Sequence, residues 1–358
     1  TRLSLWNLPG LCYNTFVYQN SALPALPFPA GREGSGFSVL EKIIGNRGPV
    51  ASLQAALEEG RLPHSILILG EKGCGTGFAA RCLAADLLYP QGGRMAQALV
   101  EGQTSQAVTE KDGDGRVLTG QIREVITARG DGAGGEIRAG AIRALRAEMF
   151  NTALTGEGRA AIFYGAQNMT RAGANALLKI LEEPPENVHF ILTANSAAAV
   201  LPTIRSRCAQ YTFSPVSEEE CEEYLRRHCP SCSQPALLAA AFGGCIGRAL
   251  RAGQEGPEAQ CFEAARKMVR ALAAGREYDL LVLLAGFEKD RPAAQQLLDT
   301  FICLCDGALT HGGLEGLSPE EAARAIPLAG GALKALGGYV NTKLVLQNLG
   351  AALAGNAG

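Results

Sequence analysis

The sequence predicts an α/β fold, a parallel sheet with helices on both faces, followed by a small helical lid and an all-α C-terminal domain. Three observations predict it. Apolar, β-rich runs near Ile66, Ile162, Ile191 and Tyr211 alternate with helical stretches, the pattern of strand-helix-strand units that lay their strands side by side. The first of these runs passes at once into a glycine-rich turn, Gly70 to Gly77, and from there into an apolar helix. Hydrophobic residues make up 47% of the 358 positions but aromatics only 6%, which suits Ala- and Leu-rich helices better than an all-β fold. A chain of this length divides into two or three units. The expected boundaries are 37–214 for the sheet domain, 215–255 for the lid and 256–358 for the helical domain. Residues 1–36 stay unassigned: Pro9, Pro24, Pro27 and Pro29 break any pattern, and the stretch reads as a disordered extension or as a consequence of where the chain was taken to begin.

The elements follow in order. Ser65-Ile66-Leu67-Ile68-Leu69 reads as a buried strand and Phe78 to Leu88 as the helix after it. Gly92 to Gly135 is polar and glycine-rich, and is expected to be a poorly ordered loop. Gly156-Glu157-Gly158 marks a turn before the strand Ala160 to Phe163. Thr170 caps the next helix, which turns Ala174, Leu177, Leu178 and Leu181 to one face and stops at Pro184. Val188 to Thr193 is again β-rich. Ser217, followed by Glu218, Glu219 and Glu220, starts the lid with a capped, acidic first turn, and the lid runs to Gly253. Beyond Gly256 the pattern is helical throughout. Leu297, Phe301, Leu304, Cys305 and Leu309 form one stripe, Pro319 opens another helix, and Leu346, Leu349 and Leu353 line a third.

The glycine turn has a chemical reading. A Walker A phosphate loop needs G-x-x-x-x-G-K-[ST], because backbone N–H groups cradle the phosphates, the lysine neutralises them and the hydroxyl holds magnesium. Here Gly70, Gly73 and Gly75 fit the frame, but Thr76 stands at the lysine position and Gly77 at the hydroxyl position. Lys72 lies on the ascending side of the loop and is poorly placed to substitute. The second strand should end in acids that hold the metal and activate water. It runs instead into Tyr164 and Gly165, neither of which does either job. Two independent lesions remove two different catalytic parts. What remains is either a bare strand-to-helix turn or a backbone nest that holds nucleotide weakly.

Downstream, Thr170-Arg171-Ala172-Gly173-Ala174-Asn175-Ala176-Leu177-Leu178-Lys179-Ile180-Leu181-Glu182-Glu183-Pro184-Pro185 resembles the helix of AAA+ clamp-loader subunits of bacterial DNA polymerase III, close to T-x-x-A-x-N-A-L-L-K-x-L-E-E-P-P. Val188 to Thr193 then looks like the sensor 1 strand, and Ser206-Arg207-Cys208 like the family's S-R-C motif. The segment Gly45 to Ser65, Gly243 to Leu250 and Asn341 to Leu349 resemble the family entry, its sensor 2 segment and the last collar helix, so the likeness covers about residues 37–355. The resemblance implies an AAA+ P-loop NTPase-like sheet, a helical lid and a C-terminal collar domain that joins four sister domains. It implies that Arg207, with Ser206 beside it and Arg205 as a second cation, is an arginine finger reaching the ATP of an adjacent protomer. Such a finger is worth roughly 10³ to 10⁵ in rate, and a planar, permanently charged fork suits it. It further implies a sensor 2-like role for Arg248. An intact Arg207 beside a lost Walker A and Walker B is the pattern of the delta-prime branch, whereas the gamma/tau motor branch needs both. The expected partners are gamma/tau and delta subunits in a heteropentamer and, through that complex, the beta sliding clamp and primed DNA. Two rivals stay open: a gamma/tau-type ATPase, and a free-standing DNA-binding or regulatory relic.

Composition bounds the rest. The formal net charge is −2, so no basic stripe advertises DNA binding by this chain alone, with Arg138, Arg143 and Arg146 read as a solvated face that could assist. Many family members carry four zinc-binding cysteines between the Walker motifs. Here none lies between Cys82 and Cys208, so no zinc is expected, and no cofactor is required. The eleven cysteines are irregularly spaced and read as buried thiols, and Cys229-Pro230-Ser231-Cys232 is a lone C-x-x-C without further ligands. No run reaches 18 apolar residues and no secretory signal is evident, so the expected place is the cytoplasm, away from membranes.

Overall fold

The computed structural model describes residues 38–102, 106–111, 114–119, 124–130, 135–149 and 158–355. The expectations for residues 1–36 and for Gly156 and Glu157 lie outside these residues. The chain forms two compact units, one ending at Val216 and the other beginning at Ser217.

In the first unit the order is α1 (Arg47–Glu58), β1 (Ser65–Leu69), α2 (Thr76–Leu88), α3 (Arg94–Val100), β2 (Gln106–Lys111), β3 (Asp114–Thr119), β4 (Val125–Arg129), α4 (Ala139–Met149), β5 (Arg159–Tyr164), α5 (Arg171–Glu182), β6 (Val188–Ala194), α6 (Pro202–Arg205) and β7 (Ala209–Thr212). The sheet has seven strands in the order β3-β2-β4-β5-β6-β1-β7. Every pairing is parallel except β2 with β3. All five residues of β1 are buried, as a strand covered on both faces requires. Alternate side chains feed two cores. Leu67, Phe163, Phe190 and Leu192 meet Ile142, Leu145 and Leu177 on one face, while Ile66, Ile68, Ile162 and Ile191 meet Leu53, Ala80 and Leu83 on the other.

The predicted strands and helices are present, and three details differ. The stretch Gly92 to Gly135 is not a plain loop: it holds α3, the β2–β3 pair and β4. β2 and β3 pair antiparallel, from Gln106 with Thr119 to Lys111 with Asp114. Val125 to Ala128 is a short buried run whose glycine-rich flanks hide it. The helix after the glycine turn begins at Thr76, not Phe78. In α5 the buried face is Gly173, Ala174, Leu177, Ile180 and Leu181, with Leu178 only half-buried, because the helix beds on α4 and the sheet across a slightly rotated stripe. The Thr170 cap is formed, its hydroxyl accepting from Gly173 N at 3.0 Å.

The second unit is helical: α7 (Glu218–His228), α8 (Pro235–Ala241), α9 (Ile246–Gly253), α10 (Pro257–Ala273), α11 (Glu277–Ala285), α12 (Arg291–His311), α13 (Pro319–Leu336) and α14 (Thr342–Ala354). Ser217 with Glu220 and Ser318 with Glu321 form reciprocal capping boxes that start α7 and α13. Leu297 to Cys305 is buried on every side, so α12 is a central helix rather than one with a single stripe, and α10 and α13 pack against it. Leu309, in its last turn, is only half-buried. No described helix is long and apolar enough to cross a membrane.

Candidate functional site

The glycine-rich loop read as a phosphate loop joins the carboxyl end of β1 to α2. Gly70 N donates to Ala194 O at 3.1 Å, and a Cβ on Gly70 would lie 2.6 Å from the carbonyl oxygen of Phe213 and 2.9 Å from Thr76 Cγ2. The first glycine is thus required by close packing of the loop on itself and on the chain after β7. Gly73 and Gly75 take positive φ, +95° and +84°, and Gly75 is the N-cap of α2. Thr76 begins α2 with its methyl turned towards Gly70. Lys72 is exposed on the loop.

Gly77 and Tyr164 meet. A Cβ on Gly77 would lie 3.3 Å from Tyr164 Cε1, so the ring at the end of β5 packs where a metal-binding hydroxyl would project. The Arg129 guanidinium, at the end of β4, lies 4.2 Å from the centre of the same ring. The Tyr164 hydroxyl is buried and has no hydrogen-bond partner among the described residues. The Thr193 hydroxyl, near the end of β6, accepts from Gly165 N at 3.2 Å and donates to Phe163 O at 3.3 Å. The sequence announced the missing acid at position 164; the ring filling the gap and the arginine stacked on it it did not, because β4 itself was hidden.

Ser206, Arg207 and Cys208 lie at the other edge of the sheet. They close α6 and lead into the amino end of β7, whose first residue pairs with Ile66 near the start of β1. The two loops are therefore separated by about the length of five-residue β1, roughly 17 Å. Arg205 Nη1 donates to Ala197 O at 3.1 Å, and Ser206 Oγ to Thr203 O at 3.1 Å, so both are engaged by their own loop. Arg207 Nη1 donates to Thr203 O at 3.0 Å and Nη2 to Glu182 Oε1 at 2.6 Å, with 37% of the side chain exposed. Cys208 is buried, which pushes its thiol up to about 11 and makes it an inert packing group.

Arg248, the sensor 2-like residue, belongs to the second unit. It donates to Asp299 Oδ2 at 2.7 Å in a largely buried pair between α9 and α12, and its guanidinium sits 5.0 Å over the Phe242 ring. Arg138, just before α4, and Arg143 and Arg146 on it are exposed. Cys229 and Cys232 are both free thiols, with Cys229 Sγ 3.5 Å from Ser231 Oγ. Burial lifts the thiols of Cys221 and Cys303 to about 12.

Residues 45–217 match the family model described as DNA polymerase III, delta subunit. Among curated proteins, the gamma/tau subunit of Mycobacterium tuberculosis is 34% identical over 188 residues, 52% of this chain and 31% of that protein. The delta-prime subunits of Haemophilus influenzae and Bacillus subtilis are 36% and 30% identical over 151 and 187 residues, covering 41% and 52% of this chain and 44% and 53% of those proteins. The chain thus spans about a third to a half of the length of these relatives. A gamma subunit-related protein of Thermotoga maritima shares the fold, with a TM-score of 0.52 at 16% identity over 86% of this chain and 99% of that one. Residues 45–217, which carry the sheet and both of its loops, are thus the part of the chain that is similar to subunits of the DNA polymerase III clamp loader.

Proposed function

We propose that this chain is a clamp-loader stator of the delta-prime type. It holds a rigid AAA+ unit beside a gamma/tau subunit, inserts Arg207 into that neighbour's ATP site, and works with gamma/tau and delta in a cytoplasmic heteropentamer that opens the beta sliding clamp on primed DNA. It hydrolyses no ATP itself and needs neither zinc nor a bound cofactor. Arg205 and Ser206 shape the loop, and Arg248 is tied into the helical unit.

One observation carries this reading: the arginine and the phosphate loop sit at opposite edges of one sheet. A guanidinium about one strand length from its own loop is out of reach of any phosphate there, so it serves another molecule. The loop it leaves behind lacks an ammonium at Thr76 and a hydroxyl at Gly77, and the Tyr164 ring lies against Gly77. A site so built stabilises neither magnesium nor the charge of a transferring phosphoryl group.

The test is reconstitution with gamma/tau and delta, comparing clamp- and DNA-stimulated ATPase for the unaltered chain and for Arg207→Ala. A fall of at least about tenfold with assembly intact is expected, a threshold set well below the roughly 10³ to 10⁵ that an arginine finger can contribute. An unchanged rate would remove the finger. Brisk turnover by the isolated chain would instead favour the gamma/tau-type reading, and failure to co-elute with both partners would favour the free-standing one.

A further inference from the structure

Glu182 is the last residue of α5, the helix whose sequence carries the family resemblance, and its carboxylate ends beside Arg207. Two different nitrogens of one guanidinium are held there: Nη2 by Glu182 Oε1 at 2.6 Å and Nη1 by the Thr203 carbonyl at 3.0 Å. Each acceptor belongs to a separately fixed element. Thr203 lies in α6, pinned by buried Ile204. Glu182 lies at the end of a helix capped by Thr170 and bedded through Ala174, Leu177, Ile180 and Leu181. A planar fork gripped at two corners loses its freedom to rotate, while the 37% of the side chain that stays exposed can meet an acceptor from outside. The exposed ion pairs of α7 differ: Arg226 with Glu222 and Arg227 with Glu223 join neighbours on one helix and aim at nothing.

Resting on the finger reading, we propose that Glu182 is a positioning residue for Arg207, holding the guanidinium ready for the phosphate of a neighbouring subunit. An arginine left to wander would have to be ordered as the transition state forms, and that cost falls on the rate of the chemical step. Glu182 does not touch the nucleotide, so affinity for ATP is not its concern. Since the pair is half exposed, its contribution is bounded by what exposed charge pairs supply.

The experiment uses the reconstituted complex of this chain with gamma/tau and delta, and measures clamp- and DNA-stimulated ATPase for Glu182→Ala, Glu182→Gln, Arg207→Ala and the Glu182→Ala/Arg207→Ala double variant. Glu182→Ala is expected to lower kcat roughly three- to fivefold with KM for ATP unchanged. Glu182→Gln keeps an acceptor and recovers part of the loss. In the Arg207→Ala background, Glu182→Ala changes nothing further. If Glu182→Ala leaves kcat intact while Arg207→Ala lowers it, positioning is wrong and the finger stands. If it lowers kcat equally in both backgrounds, Glu182 acts through the fold and the proposal is overturned. A rise in kcat would make Glu182 a restraint that competes with phosphate, which also overturns it. If Arg207→Ala itself has no effect, the finger reading falls and this proposal with it.

Discussion

The two edges of one sheet have kept different things. At the carboxyl edge, the glycine-rich loop between β1 and α2 presents a threonine methyl and a glycine, with a tyrosine ring packed against them. At the amino edge, Arg207 is held by two acceptors and leaves 37% of its side chain exposed. Packing alone requires the first glycine of that loop: Gly70 has no room for a side chain beside Phe213 O, whatever the loop binds. The arginine on the second edge instead ties two elements together, the Thr203 carbonyl of α6 and the Glu182 carboxylate that ends α5, while part of its side chain stays exposed.

The largest effect that sharpens this contrast lies at the carboxyl edge. If the Tyr164 ring fills the place of a metal, restoring the lysine and hydroxyl is not enough. Thr76→Lys with Gly77→Ser adds a Cβ that meets Tyr164 Cε1 at 3.3 Å, so this double variant is expected to bind magnesium nucleotide weakly if at all. Adding Tyr164→Asp supplies the carboxylate and opens the space, and tighter binding, on the order of tenfold to a hundredfold, is expected in calorimetry with a non-hydrolysable ATP analogue and magnesium. Equal binding by the double and triple variants would show that the ring obstructs nothing.

The next effect tests why the glycine frame persists. Gly70→Ala would place its Cβ 2.6 Å from a backbone oxygen that cannot swing aside, and should destabilise the first unit by about 1–3 kcal/mol. Thermal melting of the isolated chain without nucleotide measures it. A variant as stable as the parent would mean that the loop relaxes freely, and that the glycine answers to something other than packing.

Much of this contrast was legible in the sequence, for a physical reason. The glycine turn between β1 and α2, the Thr170 cap and the Ser206-Arg207-Cys208 run are each local, set within a few neighbouring residues. What escaped reading depends on tertiary placement. The Gly77 contact with Tyr164, the stacking of Arg129 and the Glu182 grip on Arg207 across 25 positions arise only when strands and helices assemble. β4 escaped for another reason. Its buried run Val125 to Ala128 is short, and glycine-rich flanks drowned its apolar signal. Arg248 is a mixed case: its basic position was readable, but not its burial against Asp299.

The smallest expected effect probes the amino edge without touching Arg207. His64 precedes β1 and His189 is the second residue of β6. Their rings stack at 5.3 Å, with His64 Nδ1 3.2 Å from Val188 O and His189 Nδ1 3.2 Å from Pro63 O. Burial, reinforced by the charge of His64, holds the His189 imidazole below the ordinary histidine value, against the opposing hydrogen bond to Pro63. The folded state therefore favours neutral His189. Its contribution to stability is fully present above the ordinary histidine pKa, about 6.5, and shrinks as pH falls from there towards the depressed folded value. His189→Gln should flatten that portion of the stability curve in urea titrations between about pH 7 and 5, leaving the higher-pH portion parallel to the parent. Because the strands β1 and β6 that this pair joins also carry the phosphate loop at their far ends, the loss should be felt by the whole sheet. A slope that stays the same in the variant would assign the acid sensitivity of the fold to other groups.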